Sequence, residues 1–182
     1  MKKTIILVVS ILALIFLMIG AAFLYEKLSE EYAPQNSVSE SGEETSYKAP
    51  DFEVEDAEGN SVNLSDFFGK PIVLNFWASW CPPCKSEMPD FNAAYKQYGD
   101  EINFLMVNSI GGRETLKTAK SFLASTDYTF PVYFDTKYDA ALTYGISSLP
   151  TTIFIDKDGN LVTYASGAID AATLERGINM IR

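Results

Sequence analysis

Apolar residues fall along the chain in three regimes. An uncharged run spans Thr4 to Tyr25, a polar stretch continues to Tyr47, and short apolar segments then alternate with turn residues to the end. In that last region, Phe52–Val54 and Ser61–Leu64 flank Glu58-Gly59-Asn60 and predict a small hairpin. Pro71–Trp77 is nearly continuously apolar, as expected of a strand covered on both faces. A helix follows over 82–98, with Met88, Phe91, Ala94, Tyr95 and Tyr98 on one side. Ile102–Val107 predicts another covered strand, Glu114–Ser125 a helix, Pro131–Phe134 a short strand and Lys137–Tyr144 a short helix. Thr151–Ile155 and Leu161–Ala165 are strands joined by Asp156-Lys157-Asp158-Gly159-Asn160. The last helix runs over Ala171–Ile181 behind an Asp170 N-cap. Alternating strands and helices of this kind imply an α/β domain, with a mixed sheet sandwiched by helices.

The first regime reads differently. Lys2 and Lys3 precede the 22-residue run from Thr4 to Tyr25, which as a helix would span about 33 Å, enough for a ~30 Å hydrocarbon core. Gly20-Ala21-Ala22 offers small residues for a signal-peptide cleavage site, but the run exceeds the ~7–15 apolar residues of such a peptide. Residues 1–25 are therefore read as a signal anchor. With lysines before the run and Glu26, Glu30 and Glu31 after it, the positive-inside rule puts the amino terminus in the cytoplasm and the rest outside. Residues 26–47 carry six acids and one lysine among small polar residues, a composition that predicts a mobile acidic tether. Residues 48–182 are large enough for one hydrophobic core.

Composition removes whole classes of chemistry. Lys plus Arg total 14 against 24 Asp plus Glu, a net charge of −10, so the clustered cations that bind nucleic acid are missing. With no histidine and two cysteines, the chain has no Cys-His or Ser-His nucleophile pair, no His-ligated zinc, no four-cysteine metal site and no haem-attachment motif. Gly111-Gly112 lacks the following Lys-Ser/Thr of a phosphate cradle, and the Asp156–Asn160 segment lacks the later ligands of a calcium loop.

What remains is Trp80-Cys81-Pro82-Pro83-Cys84, placed where a covered strand runs into a helix. A helix start has unpaired N–H groups and partial positive charge, both of which favour a thiolate at Cys81. Prolines are tolerated in that first turn. The spacing puts Cys84 one turn deeper, within reach of Cys81, so Cys81 is the expected attacking sulfur and Cys84 the resolving one. Glu87, three residues further on, would have a raised pKa if semi-buried and could take the proton from Cys84; the alternative is simple dipole compensation early in the helix. Trp77 is expected in the core, Trp80 on the substrate surface, and Lys85 in solvent.

The run Phe76-Trp77-Ala78-Ser79-Trp80-Cys81-Pro82-Pro83-Cys84-Lys85, with Leu149-Pro150-Thr151-Thr152, resembles the thioredoxin superfamily over Ala49–Arg182. With its hairpin, anchor and Glu87, the chain looks most like the TlpA/ResA-like thiol-disulfide oxidoreductases. That resemblance implies a thioredoxin fold, with the CxxC exposed at a helix start. It also implies a cis Leu149–Pro150 bond facing the cysteines, with Leu149 offering backbone groups to an extended substrate. Asn75 stands where thioredoxin carries a buried aspartate, which leaves the proton-transfer role to another acid, and in ResA-like proteins the glutamate at the Glu87 position is assigned that role. Substrate contacts are expected at Trp80, Pro82, Pro83, Leu149 and Pro150. The redox group is the Cys81–Cys84 pair itself, with no cofactor or metal.

The resemblance favours a reductant fed by a membrane thiol carrier and acting on disulfides of exported proteins, such as apocytochrome c. The alternatives are a disulfide oxidase or general exchange protein, and a non-catalytic Cu(I)-binding CxxC module. The absence of His and Met beside the pair counts against copper. Peroxide chemistry would need a separate peroxidatic cysteine.

Overall fold

The computed structural model describes residues 47–182, together with Met18 and Gly20. Chain contacts divide the protein into two units, Met1–Glu44 and Thr45–Arg182, and the second carries the fold. Apart from Met18 and Gly20, the expected anchor (1–25) lies outside the described residues, as does the tether (26–47) except for Tyr47. Among the described residues, no helix is long and apolar enough to cross a membrane.

Among the described residues from Tyr47 onward, seven strands and four helices follow in the order β1 (Glu53–Glu55), β2 (Ser61–Asn63), β3 (Ile72–Trp77), α1 (Pro82–Tyr98), β4 (Asn103–Ser109), α2 (Leu116–Leu123), β5 (Val132–Asp135), α3 (Asp139–Thr143), β6 (Thr151–Ile155), β7 (Leu161–Ser166) and α4 (Ala171–Ile181). A 3-10 turn, Leu64–Phe67, links β2 to β3. The sheet order is β2-β1-β5-β4-β3-β6-β7. β3, β4 and β5 run parallel, while β1, β6 and β7 pair antiparallel with their neighbours. This is the thioredoxin fold with an N-terminal hairpin. The order puts β3, the strand that feeds the CxxC, near the centre of the sheet.

Every residue of β3 is buried, because both of its faces are covered. On one face Val73 and Trp77 join Phe91, Met106, Phe154 and Ile178 in a core beneath α1 and α4. On the other, Ile72, Leu74 and Phe76 join Leu64, Leu105, Val107 and Ala140. β7, at the sheet edge, instead alternates half-buried with exposed residues, as a strand with one wet face must. α4 packs so closely on β6 that a Cβ on Gly177 would fall 2.2 Å from Phe154 Cζ.

The helix over 82–98 and the last helix have the expected limits, and Asp170 caps the latter by accepting the Thr173 N–H at 2.8 Å. The hairpin turns are built alike. Asp56 and Asp156 each accept the backbone N–H two and four residues ahead, and each side chain also accepts from the amide of Asn60 or Asn160. One boundary differs with consequence. The helix expected from Glu114 begins only at Leu116, because Thr115 caps it by accepting the Thr118 N–H, and Glu114 is freed for another contact.

Candidate active site

Three residues (78–80) separate β3 from Cys81, which is the N-cap of α1. Its extended backbone (φ −89°, ψ 106°) lets the sulfur accept the Cys84 N–H at 3.2 Å, one of the donors that a helix start leaves without an intrahelical partner. Pro82 and Pro83 fill the next two positions, where a missing N–H removes no helical bond. The two sulfurs are joined, S–S 2.02 Å with the Cα atoms 5.3 Å apart.

The expected exposure of the CxxC requires correction. Pro82 and Pro83 are exposed, but Cys81 is only 3% exposed and Cys84 fully buried. Both sulfurs belong to the core cluster of Trp77, Ala78, Met88 and Phe91. Because both cysteines are packed in that core, the prolines, rather than the sulfurs, form the surface of the motif in this oxidised state.

Glu87 lies one helical turn beyond Cys84 and is 2% exposed. Its Oε1 accepts from Asn75 Nδ2 at 2.9 Å, and its Oε2 from the Ile169 N–H at 3.0 Å. Asn75 Nδ2 also donates to Thr152 Oγ1 at 3.0 Å. Burial pushes the Glu87 carboxyl up to about 6; the two donated hydrogen bonds favour the carboxylate, and the Asp90 charge adds a smaller upward push. A carboxyl so placed can hold or release a proton near neutral pH, which an exposed glutamate does poorly. Asn75 therefore serves as a neutral donor to the acid.

The Leu149–Pro150 bond is cis. Pro150 is buried, with its carbonyl accepting the Gly167 N–H at 2.9 Å, and Leu149 is half-buried. Leu149 and Trp80, expected to share a substrate surface, line one cavity of about 290 Å³. Trp77 is buried in the core, while Trp80 is 42% exposed. Lys85 is exposed, with its Nζ 5.8 Å from the Phe122 ring centroid.

Two neighbours of the motif escaped the sequence reading. Glu114, buried after β4, accepts both the Ser79 N–H and the Ser79 hydroxyl, as well as Thr118 Oγ1. It thereby ties the loop before Cys81 to the start of α2. Beside it, the Arg113 guanidinium stacks 4.2 Å from the Trp80 ring centroid. An acid just ahead of a capped helix looks like dipole compensation, and its bond to a residue 35 positions away leaves no local trace. Among the described residues, no group of three or more His, Cys, Asp or Glu is placed to hold a metal ion.

The profile of the AhpC/TSA family matches residues 45–164. The thiol-disulfide oxidoreductase ResA of Bacillus subtilis is 32% identical over 168 residues, covering 92% of this chain and 90% of its own. ResA of Bacillus thuringiensis subsp. konkukian is 37% identical over 134 residues, 74% of this chain and 76% of its own. Among solved structures, the exposed lipoprotein thioredoxin Etrx1 of Streptococcus pneumoniae superposes with a TM-score of 0.64 at 34% identity, covering 71% of this chain and 98% of that one.

Proposed function

Because the chain belongs to the AhpC/TSA family and is a ResA-like thiol-disulfide oxidoreductase of the thioredoxin superfamily, we propose that its CPPC pair reduces disulfides of exported proteins. In this reading the domain works outside the cytoplasm, held by the anchor at residues 1–25. Apocytochrome c, whose cysteines must be thiols before haem attachment, is the proposed client, and a membrane dithiol carrier supplies the electrons. The name of the pneumococcal relative, an exposed lipoprotein, supports the location.

The observation that carries the mechanism is a joined Cys81–Cys84 pair one turn from a buried carboxyl raised to about 6. Starting from the dithiol form, the Cys81 thiolate attacks one sulfur of a client disulfide. The client S–S bond breaks, its other sulfur leaves as a thiolate and takes up a proton, and a mixed disulfide to Cys81 forms. Cys84 then gives its proton to Glu87 and attacks Cys81 Sγ, releasing the second client thiolate. Two electrons have passed to the client, and the protein is left in the oxidised state described above. Trp80, Pro82, Pro83 and Leu149 meet the client chain. Pro150 holds the Leu149 backbone open for it, because a proline presents no N–H of its own.

A redox titration of the full-length protein, combined with client trapping by Cys84→Ser, tests the proposal. A strongly reducing midpoint together with apocytochrome c adducts is the expected result. A midpoint near that of the known oxidants, about 150 mV above thioredoxin, would reverse the direction of electron flow. Tight stoichiometric Cu(I) binding with negligible exchange would replace the redox reading with a metal-binding one.

A further inference from the structure

The three parallel strands β3, β4 and β5 end on the same side of the sheet, and crevices outside such carboxyl ends are where α/β sheets bind ligands. The cavity of about 290 Å³ lies there. Trp80 follows β3, Ser109 ends β4, Tyr138 follows β5, and Ile146 and Leu149 complete the wall from the loop before β6. It falls just below the ~300–1,000 Å³ of small-molecule sites, room for one large side chain.

Its wall is held at a conformational cost. Tyr138 is the one non-glycine residue with positive φ among the described residues (φ 63°, ψ 19°), a conformation unfavourable for a bulky residue. Its ring lies against Gly111, where a Cβ would fall 2.5 Å from Tyr138 Cε2. A strained tyrosine and a glycine without a side chain together fix an aromatic residue in the wall that Trp80 also lines. At the sheet end, Ser109 is 7% exposed and its Oγ has no hydrogen-bond partner among the described residues, which is unfavourable unless something occupies the cavity and bonds to it. Among the described residues, no charged side chain lines the cavity, so a charged occupant would be left unpaired.

We infer that this cavity is a specificity pocket for a tyrosine or tryptophan next to the attacked cysteine of the client, with the ring between Trp80 and Tyr138 and the phenol or indole N–H bonded to Ser109 Oγ. The inference rests on the reading of CPPC as the redox site, because Trp80 and Leu149 belong to both.

The test uses the full-length protein in detergent and two disulfide-bridged peptides that differ only in the residue after the cysteine, tyrosine or alanine. The tyrosine peptide should be reduced with kcat/KM about tenfold higher or more. Ser109→Leu, which fills the cavity, and Tyr138→Gly, which removes the ring while keeping a residue at ease with positive φ, should each bring the ratio to about one. If Ser109→Leu does not fold, Tyr138→Gly decides alone. Equal rates for the two peptides in the parent protein would overturn the pocket and leave the redox reading intact, as would a preference that survives in a folded variant. Failure to reduce either peptide would overturn both.

Discussion

Asn75 Nδ2 donates to Glu87 Oε1 at 2.9 Å, so the central strand holds the buried acid of the redox helix through a neutral side chain. Because burial raises this carboxyl from 4.5 to about 6, the folded state binds its proton more tightly than the unfolded chain does. The stabilisation is complete below about pH 4.5 and is lost as pH rises through 6, a change of about 2 kcal/mol from this group. Glu87→Gln should flatten that part of the curve. Asn75 Oδ1, unpartnered among the described residues, can turn to accept from the new amide. Urea denaturation of the oxidised protein from pH 4 to 8 measures the difference between the two proteins.

The same substitution should separate folding from chemistry. If Glu87 takes the Cys84 proton, Glu87→Gln slows resolution of the mixed disulfide by about 100-fold or more. The inflection near pH 6 in the rate profile should also disappear. Stopped-flow measurement of the resolving step reads both effects, and an unchanged profile would remove Glu87 from the mechanism.

The two cysteines should fail in different ways. Cys81→Ser removes the attacking sulfur and should abolish exchange with any client. Cys84→Ser leaves attack possible and removes release, so a mixed disulfide with the client should accumulate and be visible on non-reducing gels.

Glu114 should matter although it meets no sulfur. Glu114→Ala leaves the Ser79 N–H without its partner and should cost about 1–3 kcal/mol. Glu114→Gln, which keeps one acceptor oxygen, should recover part of that loss. Urea denaturation gives the stability, and faster amide exchange at Ser79 would place the loosening in the loop before Cys81.

Alanine at a mid-helix glycine ordinarily stabilises by about 0.5–1 kcal/mol. At Gly177 the new Cβ would fall 2.2 Å from the Phe154 ring, so Gly177→Ala should instead destabilise by about 1–3 kcal/mol. A lowered urea midpoint is the expected reading.

Elements that rest on near neighbours were legible in the residues. Apolar runs mark β3 and β4 because a strand covered on both faces has no polar side to show. The Asp170 cap and the prolines at the start of α1 mark helix ends through bonds spanning only a few residues. The family motif carried the cis Leu149–Pro150 bond. Burial of the sulfurs has no such local mark, because it depends on how Trp77, Ala78 and Met88 close around the joined pair.

By composition alone, the sequence confined the chemistry to the two cysteines, since a chain without histidine has no other strong nucleophile to pair with them, and the resemblance of the motif to thioredoxin pointed to disulfide exchange. It also determined which segments are strands and helices, because side-chain periodicity is a local property. Strand order, the environment that raises Glu87, the grip of Glu114 on Ser79 and the cavity lined by Trp80 and Tyr138 arise from how the chain packs on itself. The hydrogen bonds from Asn75 and Ile169 to Glu87 and from Ser79 to Glu114 join residues from 12 to 82 positions apart, and contacts of that reach depend on chain packing that leaves no periodic mark in the sequence.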